Sequence, residues 1–387
     1  MNNNRSIYKR GSTWTAHMNW TDMNGSKQQK KVGGFETRKA ATEYHNQFMT
    51  SIQQGRRRGT TKLRVGEYLV KEWLPKQENA LKASSFASYQ RIVNSYLVPH
   101  IGNIRLEEVT ARRAEQMFND LLKTGARGKS LKANTALSAK TVSDIAGVLH
   151  RAFKDAVRWD LIAVNPITSA KKPPRRTKEM TAWTPEELNR FIGASSTNRL
   201  FAVWHLAATS GMRRGEILGL TWDDIDFNTG KVTVRKTRIR AGNATIDETP
   251  KSRKSMRTFA IDKQTLAALK KWKIKQGQEY LALGTKVSDH VVTEPDGSLP
   301  NPNTFSRRFK ALCKQFGLRM IRLHDMRHSY VVAARRAGAD LKTISERIGH
   351  ADPKVTLTVY DHVFVEDDEK AATSISDHIY GSTSKQA

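Results

Sequence analysis

One cysteine, Cys313, stands in 387 residues. An intrachain disulfide is therefore excluded, and so is a zinc cluster built on cysteines. No apolar run reaches bilayer-spanning length and no signal-peptide pattern opens the chain, so a membrane partner is not expected. A cytoplasm-like, reducing compartment fits these absences. Negative charge is also scarce: 37 Asp+Glu stand against 66 Lys+Arg, a formal net charge of +29 with a pI near 10.2. Such a balance attracts polyanions, with binding that weakens as salt rises, and points to nucleic acid. The excess is not one basic tail. Residues 1–60 hold 11 Lys+Arg against 3 Asp+Glu, residues 61–174 hold 19 against 10, and residues 175–387 hold 36 against 24. Every part of the chain is thus expected to touch nucleic acid.

A hydrophobic content of 38% suffices for folded cores, and the length suggests two or three domains. Residues 5–20 read as two strands around a turn at Gly11-Ser12. Asn24-Gly25 is a hairpin signal leading to a third strand rich in Lys and Gln. Thr37 caps a helix over about 38–53, with Ala40, Ala41, Tyr44 and Phe48 at helical spacing. Residues 55–62 form a basic linker, either a solvated spacer or a phosphate contact. Residues 63–165 read as all-helical. A first helix carries Val65 to Trp73 and stops at or before Pro75; a second covers about 84–97, before Pro99; Thr110 and Ser138 start a third and a fourth. A second basic linker, 170–177, contains Pro173-Pro174. Thr184-Pro185-Glu186-Glu187 then supplies an N-cap, a proline at the first helical position and a capping-box glutamate, and opens a new domain.

Four polar segments recur in this last part: T-S-G-M-R-R-G-E around Arg213, K-S-R-K-S-M-R from Lys251, L-H-D-M-R-H around His324, and I-G-H-A-D-P-K-V-T-L-T-V-Y ending at Tyr360. None supplies a pair of carboxylates. Two arginines, two histidines, a lysine and a tyrosine are suited to holding an anion and attacking it. Arg213 follows an apolar helix that Gly211 terminates, and Glu216, at i+3, is its expected partner. Lys251 lies between two strand-like runs, on a hairpin tip that either is a solvated turn or delivers a proton to a leaving oxygen. His324 and Arg327 share one face of a helix, with Asp325 a cap or a hold on a neighbour. Gly349-His350 ends the helix 341–348. Tyr360 is one of nine tyrosines; Tyr280, Tyr330 and Tyr380 are its rivals. Free tyrosine titrates at about 10, so a tyrosine nucleophile needs a proton acceptor and nearby cations. Zinc held by His324, His328 and His350 is disfavoured by the flanking arginines.

In order and spacing these segments resemble those of the tyrosine recombinases, the phage and conjugative-transposon integrase family. The resemblance implies a catalytic set of Arg213, Lys251, His324, Arg327, His350 and the nucleophile Tyr360, with no cofactor and no metal. It implies a multidomain fold, mainly α with small β elements (α+β): an arm-type DNA-binding domain over 1–55 with three strands and a helix, a helical core-binding domain over 62–168, and a mixed, mostly helical catalytic domain over 178–387. The implied activity is site-specific cleavage and rejoining of DNA through a 3′-phosphotyrosyl bond, integrating and excising a mobile element. The implied partners are double-stranded DNA with core-type and arm-type attachment sites and three further copies of the chain in a tetramer. A host DNA-bending protein and a directionality factor are further partners that it allows. A type IB topoisomerase-like enzyme shares the chemistry without synapsis, and a non-catalytic DNA-binding regulator accounts for the charge but not for the ordered segments.

Overall fold

A computed structural model describes residues 6–21, 27–53, 63–125, 136–174, 181–242, 244–249 and 256–349. The chain divides into two compact units, 1–178 and 179–387.

The first unit opens with an antiparallel sheet of β1 (Ile7–Arg10), β2 (Thr13–Thr21) and β3 (Lys27–Phe35), in that order. Ala16 and Met18 point inward from β2, as the period of two demands, and meet Ala41 and Phe48 of the helix Arg38–Gln53. Thr37 Oγ1 accepts the Ala40 amide at 3.1 Å, which is the expected cap. Lys27, Gln28, Gln29 and Lys31 of β3 stay exposed. Asn24-Gly25 lies outside the described residues.

The helices that follow run through their prolines instead of stopping at them. Helical backbone is continuous over 65–78 and over 83–101, with π-helical turns at Tyr68–Trp73 and Val93–Leu97 directly before Pro75 and Pro99. The Leu74 amide reaches the Leu69 carbonyl and the Val98 amide reaches the Val93 carbonyl, both five residues back. A wider turn makes room for the proline ring and absorbs its missing donor, where a regular helix would clash with the carbonyl four residues back. The expected stops at Pro75 and Pro99 are therefore wrong. The starts at Thr110 and Ser138 hold: each side chain accepts from the backbone three residues on, and helices Ala111–Thr124 and Ala139–Arg158 bury their apolar stripes.

The second unit begins at the capping box on Thr184 and Glu187 and the helix Pro185–Ala194. Its core gathers Trp183, Phe191, Trp204, Phe305 and Phe309, with the Trp204 and Phe305 rings stacked at 4.5 Å. Helix Phe201–Ser210 is buried on nearly all sides, as its apolar sequence requires. It ends at Gly211, which has φ +64°; a Cβ there would lie 2.5 Å from Tyr330 Cδ1, so both conformation and space demand glycine. Three strands form one sheet in the order β4 (Ile225–Asp226), β5 (Lys231–Val234), β8 (Arg257–Ala260), and β6 (Thr237–Ala241) pairs with β7 (Ala244–Glu248) in a separate hairpin. Helices Lys263–Leu283, Pro302–Gln315, Leu323–Arg336 and Leu341–Ile348 complete the described part.

Candidate active site

Arg213 is the N-cap of the short helix Arg214–Leu218. Its amide donates to Glu216 Oε2 and its Nη1 to Glu216 Oε1, both at 2.8 Å. Nη2 donates to the Gly349 carbonyl at 2.9 Å. The partner expected at i+3 is thus in place. Glu216 is only 2% exposed and meets a second cation, Arg257, whose Nη1 and Nη2 donate to its two oxygens at 3.1 and 2.8 Å. Burial alone would raise the Glu216 pKa. The hydrogen bonds and charge of Arg257, joined by Arg213, outweigh burial and hold it below the ordinary carboxylate value.

Helix Leu323–Arg336 starts on a capping box in which Asp325 accepts the Arg322 amide at 2.8 Å, the capping role read for Asp325 in the sequence. Arg327 is 2% exposed, and its Nη1 donates to the Gly211 carbonyl at 2.8 Å. Each of the two arginines therefore holds the carbonyl of a left-handed glycine corner, Arg327 at Gly211 and Arg213 at Gly349. These straps tie the ends of three helices together, and those of Arg213 do not consume all five donors of its guanidinium.

His324 sits one turn before Arg327. Solvent reaches its ring, yet it lies in a recess dense with protein. Desolvation there, followed by the charge of Arg327, lowers its pKa; Arg213 and Arg322 add to this and Asp325 opposes it. His328, edge-on to His324 at 5.2 Å between ring centres, falls to about 4, through burial first and His324 next. Among the described residues, no group of three His, Cys, Asp or Glu side chains forms a metal site.

Arg213 and His324 share a recess of about 500 Å³ with Arg214, Arg238, Lys310 and Arg322, and no carboxylate lines it. Arg214 is positioned by Ser306 Oγ at 2.9 Å and the Pro302 carbonyl at 3.2 Å. Five cations line this one concave wall, and three of them, Arg213, Arg238 and Arg322, are each held from behind by a carboxylate, Glu216, Asp247 and Asp325.

The remaining three candidates, Lys251, His350 and Tyr360, lie outside the described residues. The hairpin inferred around Lys251 needs correction in one respect. The described strands on its two sides do not pair with each other: β7 pairs with β6, and β8 pairs with β5. The strand-like pattern on both sides was correct, but partner choice depends on the sheet that β5 provides.

The phage integrase family model matches residues 182–367, an arm DNA-binding domain model matches 6–52, and the N-terminal SAM-like domain of phage integrases matches 67–122. The chain belongs to the phage integrase family of tyrosine recombinases. It is similar to the ICEBs1 integrase of Bacillus subtilis (29% identity, 88% of this chain and 90% of that one). A XerC-like tyrosine recombinase of Caldanaerobacter subterraneus is 25% identical over 92% of this chain and 93% of its own. In fold, the recombinase resembles the Tn1549 transposon integrase bound to circular intermediate DNA (TM-score 0.63, 18% identity, 77% of this chain and 95% of that one). It also resembles the lambda integrase dimer on a core site (TM-score 0.55, 16% identity, 92% and 94%). As a member of the family, the recombinase is a site-specific DNA recombinase of the integrase type.

Within the recombinase, sequence reading singled out Arg213, His324 and Arg327, and the fold brings these three together. It missed Arg257, which was passed over as one cation in a basic run. Its place on β8, two residues before the buried Phe259 and therefore on the same inward face, was the available signal, since a cation on a core-facing position needs a partner. Arg214, Arg238, Lys310 and Arg322 were missed as well; they come from four separate segments and no local pattern joins them.

Proposed function

We propose that the recombinase cleaves one strand of duplex DNA by attack of Tyr360 on a phosphodiester, forming a 3′-phosphotyrosyl bond and releasing a 5′-hydroxyl. Arg213 and Arg327 hold the non-bridging oxygens and stabilise the charge that develops there. His350 adds a hydrogen bond. His324 takes the phenolic proton, and Lys251 gives one to the leaving oxygen. A 5′-hydroxyl of the partner duplex reverses the step. The phosphoester is conserved in the covalent bond, so the chemistry runs without a nucleotide cofactor or a metal.

The observation that carries this reading is the recess that Arg213 and His324 line together with four further cations, with Arg327, one helical turn from His324, held on the Gly211 carbonyl. The three domain assignments follow: 1–55 reads arm-type sites with its exposed basic sheet face, 62–168 grips core-type sites, and 178–387 carries the chemistry. A known relative in fold, the lambda integrase, forms a tetramer on a Holliday junction (TM-score 0.55, 17% identity, 90% of this chain and 96% of that one). A tetramer spanning two DNA sites in the cytoplasm, integrating and excising a mobile element, is the corresponding assembly here, with a host DNA-bending protein and a directionality factor as accessory partners.

A duplex nicked near the cleavage position, carrying the sequence that the purified protein protects from nuclease, tests this. The expected product is a denaturant-resistant protein–DNA adduct, followed by joining between two duplexes. Absence of any adduct overturns the reading, and relaxation of one DNA without joining replaces it by a topoisomerase.

The acid limb of adduct formation is a further expectation. A base must be neutral to accept a proton, and the depressed His324 stays neutral to lower pH than an ordinary histidine. The limb in the pH–rate profile should therefore fall below about 6.5. Removing the cation that lowers it most with Arg327→Gln should move it to higher pH, whatever happens to the absolute rate. A limb at or above the ordinary histidine value in the parent protein contradicts the assignment of His324.

A further inference from the structure

Arg257 makes three side-chain hydrogen bonds beside Arg213 and Glu216. Its side chain is 7% exposed, its two terminal nitrogens hold both oxygens of Glu216, and its Nε donates to the Arg347 carbonyl at 2.5 Å. Arg347 lies in the last turn of helix Leu341–Ile348, just before Gly349, whose carbonyl receives Arg213. A Cβ on Gly349 would stand 3.1 Å from Arg257 Nη1, so that corner packs directly on the guanidinium. Three segments are therefore fixed through one side chain: the start of helix Arg214–Leu218, the start of β8, and the end of the helix that leads to His350. Lys251 stands six residues before Arg257 in the sequence.

The charges explain why a second arginine is needed. Glu216 facing Arg213 alone would cancel its charge and draw the guanidinium onto the carboxylate. With Arg257 on both oxygens, the triad, buried at Glu216 and Arg257 and open at Arg213, keeps a net charge of +1, and Glu216 remains an acceptor that orients Arg213 without neutralising it.

We infer that Arg257 is a positioning residue for the strand-cleavage reaction, acting on Arg213 from two sides: through Glu216, and through the Arg347 carbonyl and the Gly349 corner whose carbonyl holds Arg213. This rests on the reading of Arg213 as a phosphate-holding residue.

The test uses full-length protein and the nicked duplex described above, with Arg257→Gln and Arg257→Lys. The lysine variant keeps charge and volume but cannot grip two oxygens, so it serves if the glutamine variant does not fold. The expected result is a 10- to 100-fold slower adduct formation, with DNA affinity within about twofold of the parent. In an Arg213→Lys background, Arg257→Lys should add little further loss, because the residue acts through one already altered. A general structural role predicts instead losses that multiply in the double variant, or a fall in DNA affinity matching the fall in rate; either overturns the inference. So does an adduct rate within twofold of the parent in both variants. If the parent itself gives no adduct, the reading of the active site fails; if the parent reacts and the Arg257 variants react equally well, this inference alone fails.

Discussion

Replacing Tyr360 by phenylalanine is expected to abolish the protein–DNA adduct while leaving DNA binding within about twofold of the parent. The substitution removes one oxygen atom and the only bond-forming group proposed for the first step, so the loss should exceed about 10⁴-fold, the range typical of deleting a nucleophile. Tyr360 and its rival Tyr380 lie outside the described residues, and the described tyrosines at 280, 330 and 68 are committed elsewhere. Tyr280 is buried, and its hydroxyl donates to the Gly297 carbonyl at 3.2 Å. Tyr330 accepts from Arg347 Nε at 2.8 Å and packs on Gly211. Tyr68 is fully buried, its hydroxyl donates to the Ala152 carbonyl at 2.7 Å, and burial raises its pKa far above the ordinary value, so it is a poor source of phenolate. Denaturing gel electrophoresis on the nicked duplex measures the adduct, and Tyr280→Phe is the control that should still form it. Persistent adduct in Tyr360→Phe would place the nucleophile elsewhere.

Glu216→Ala should strongly destabilise the second unit. The carboxylate is 2% exposed and serves two guanidinium groups and the Arg213 amide. Its removal leaves the buried Arg257 without its carboxylate and takes the orienting partner from Arg213, whose side chain is 34% exposed. Breaking such a buried arrangement typically costs about 3–5 kcal/mol. The unfolding transition of this unit, followed in urea at pH 7, should shift accordingly. The pH dependence has a definite sign. Because the folded-state pKa lies below the ordinary value, the contribution of Glu216 is fully present above about 4.5 and is lost as pH falls through the folded value. The gap between parent and variant should therefore narrow at acid pH. A gap under about 1 kcal/mol at neutral pH would show that the arginines find other partners.

Much of this molecule could be read from local signals. Caps at Thr37, Thr110, Ser138 and Thr184 act within four residues, so they are legible in one dimension. The pairing of Arg213 with Glu216 is legible for the same reason, since i+3 on a helix start brings the groups together. The prolines at 75 and 99 misled because a helix can widen around a proline when both flanks are buried against neighbours, and burial of Tyr68, Leu69, Val93 and Leu97 is a property of the bundle.

The sequence by itself determined which chemical groups this recombinase carries, their order, and the glycines at 211 and 349 where the chain must turn left-handed. The tertiary structure decided their partners. Arg257 reaches Glu216 across 41 positions, Arg327 reaches Gly211 across 116, and Arg213 reaches Gly349 across 136. Such pairings depend on how buried helices and strands close on a common core, and the cost of leaving a buried guanidinium or carboxylate unpaired makes that closure specific.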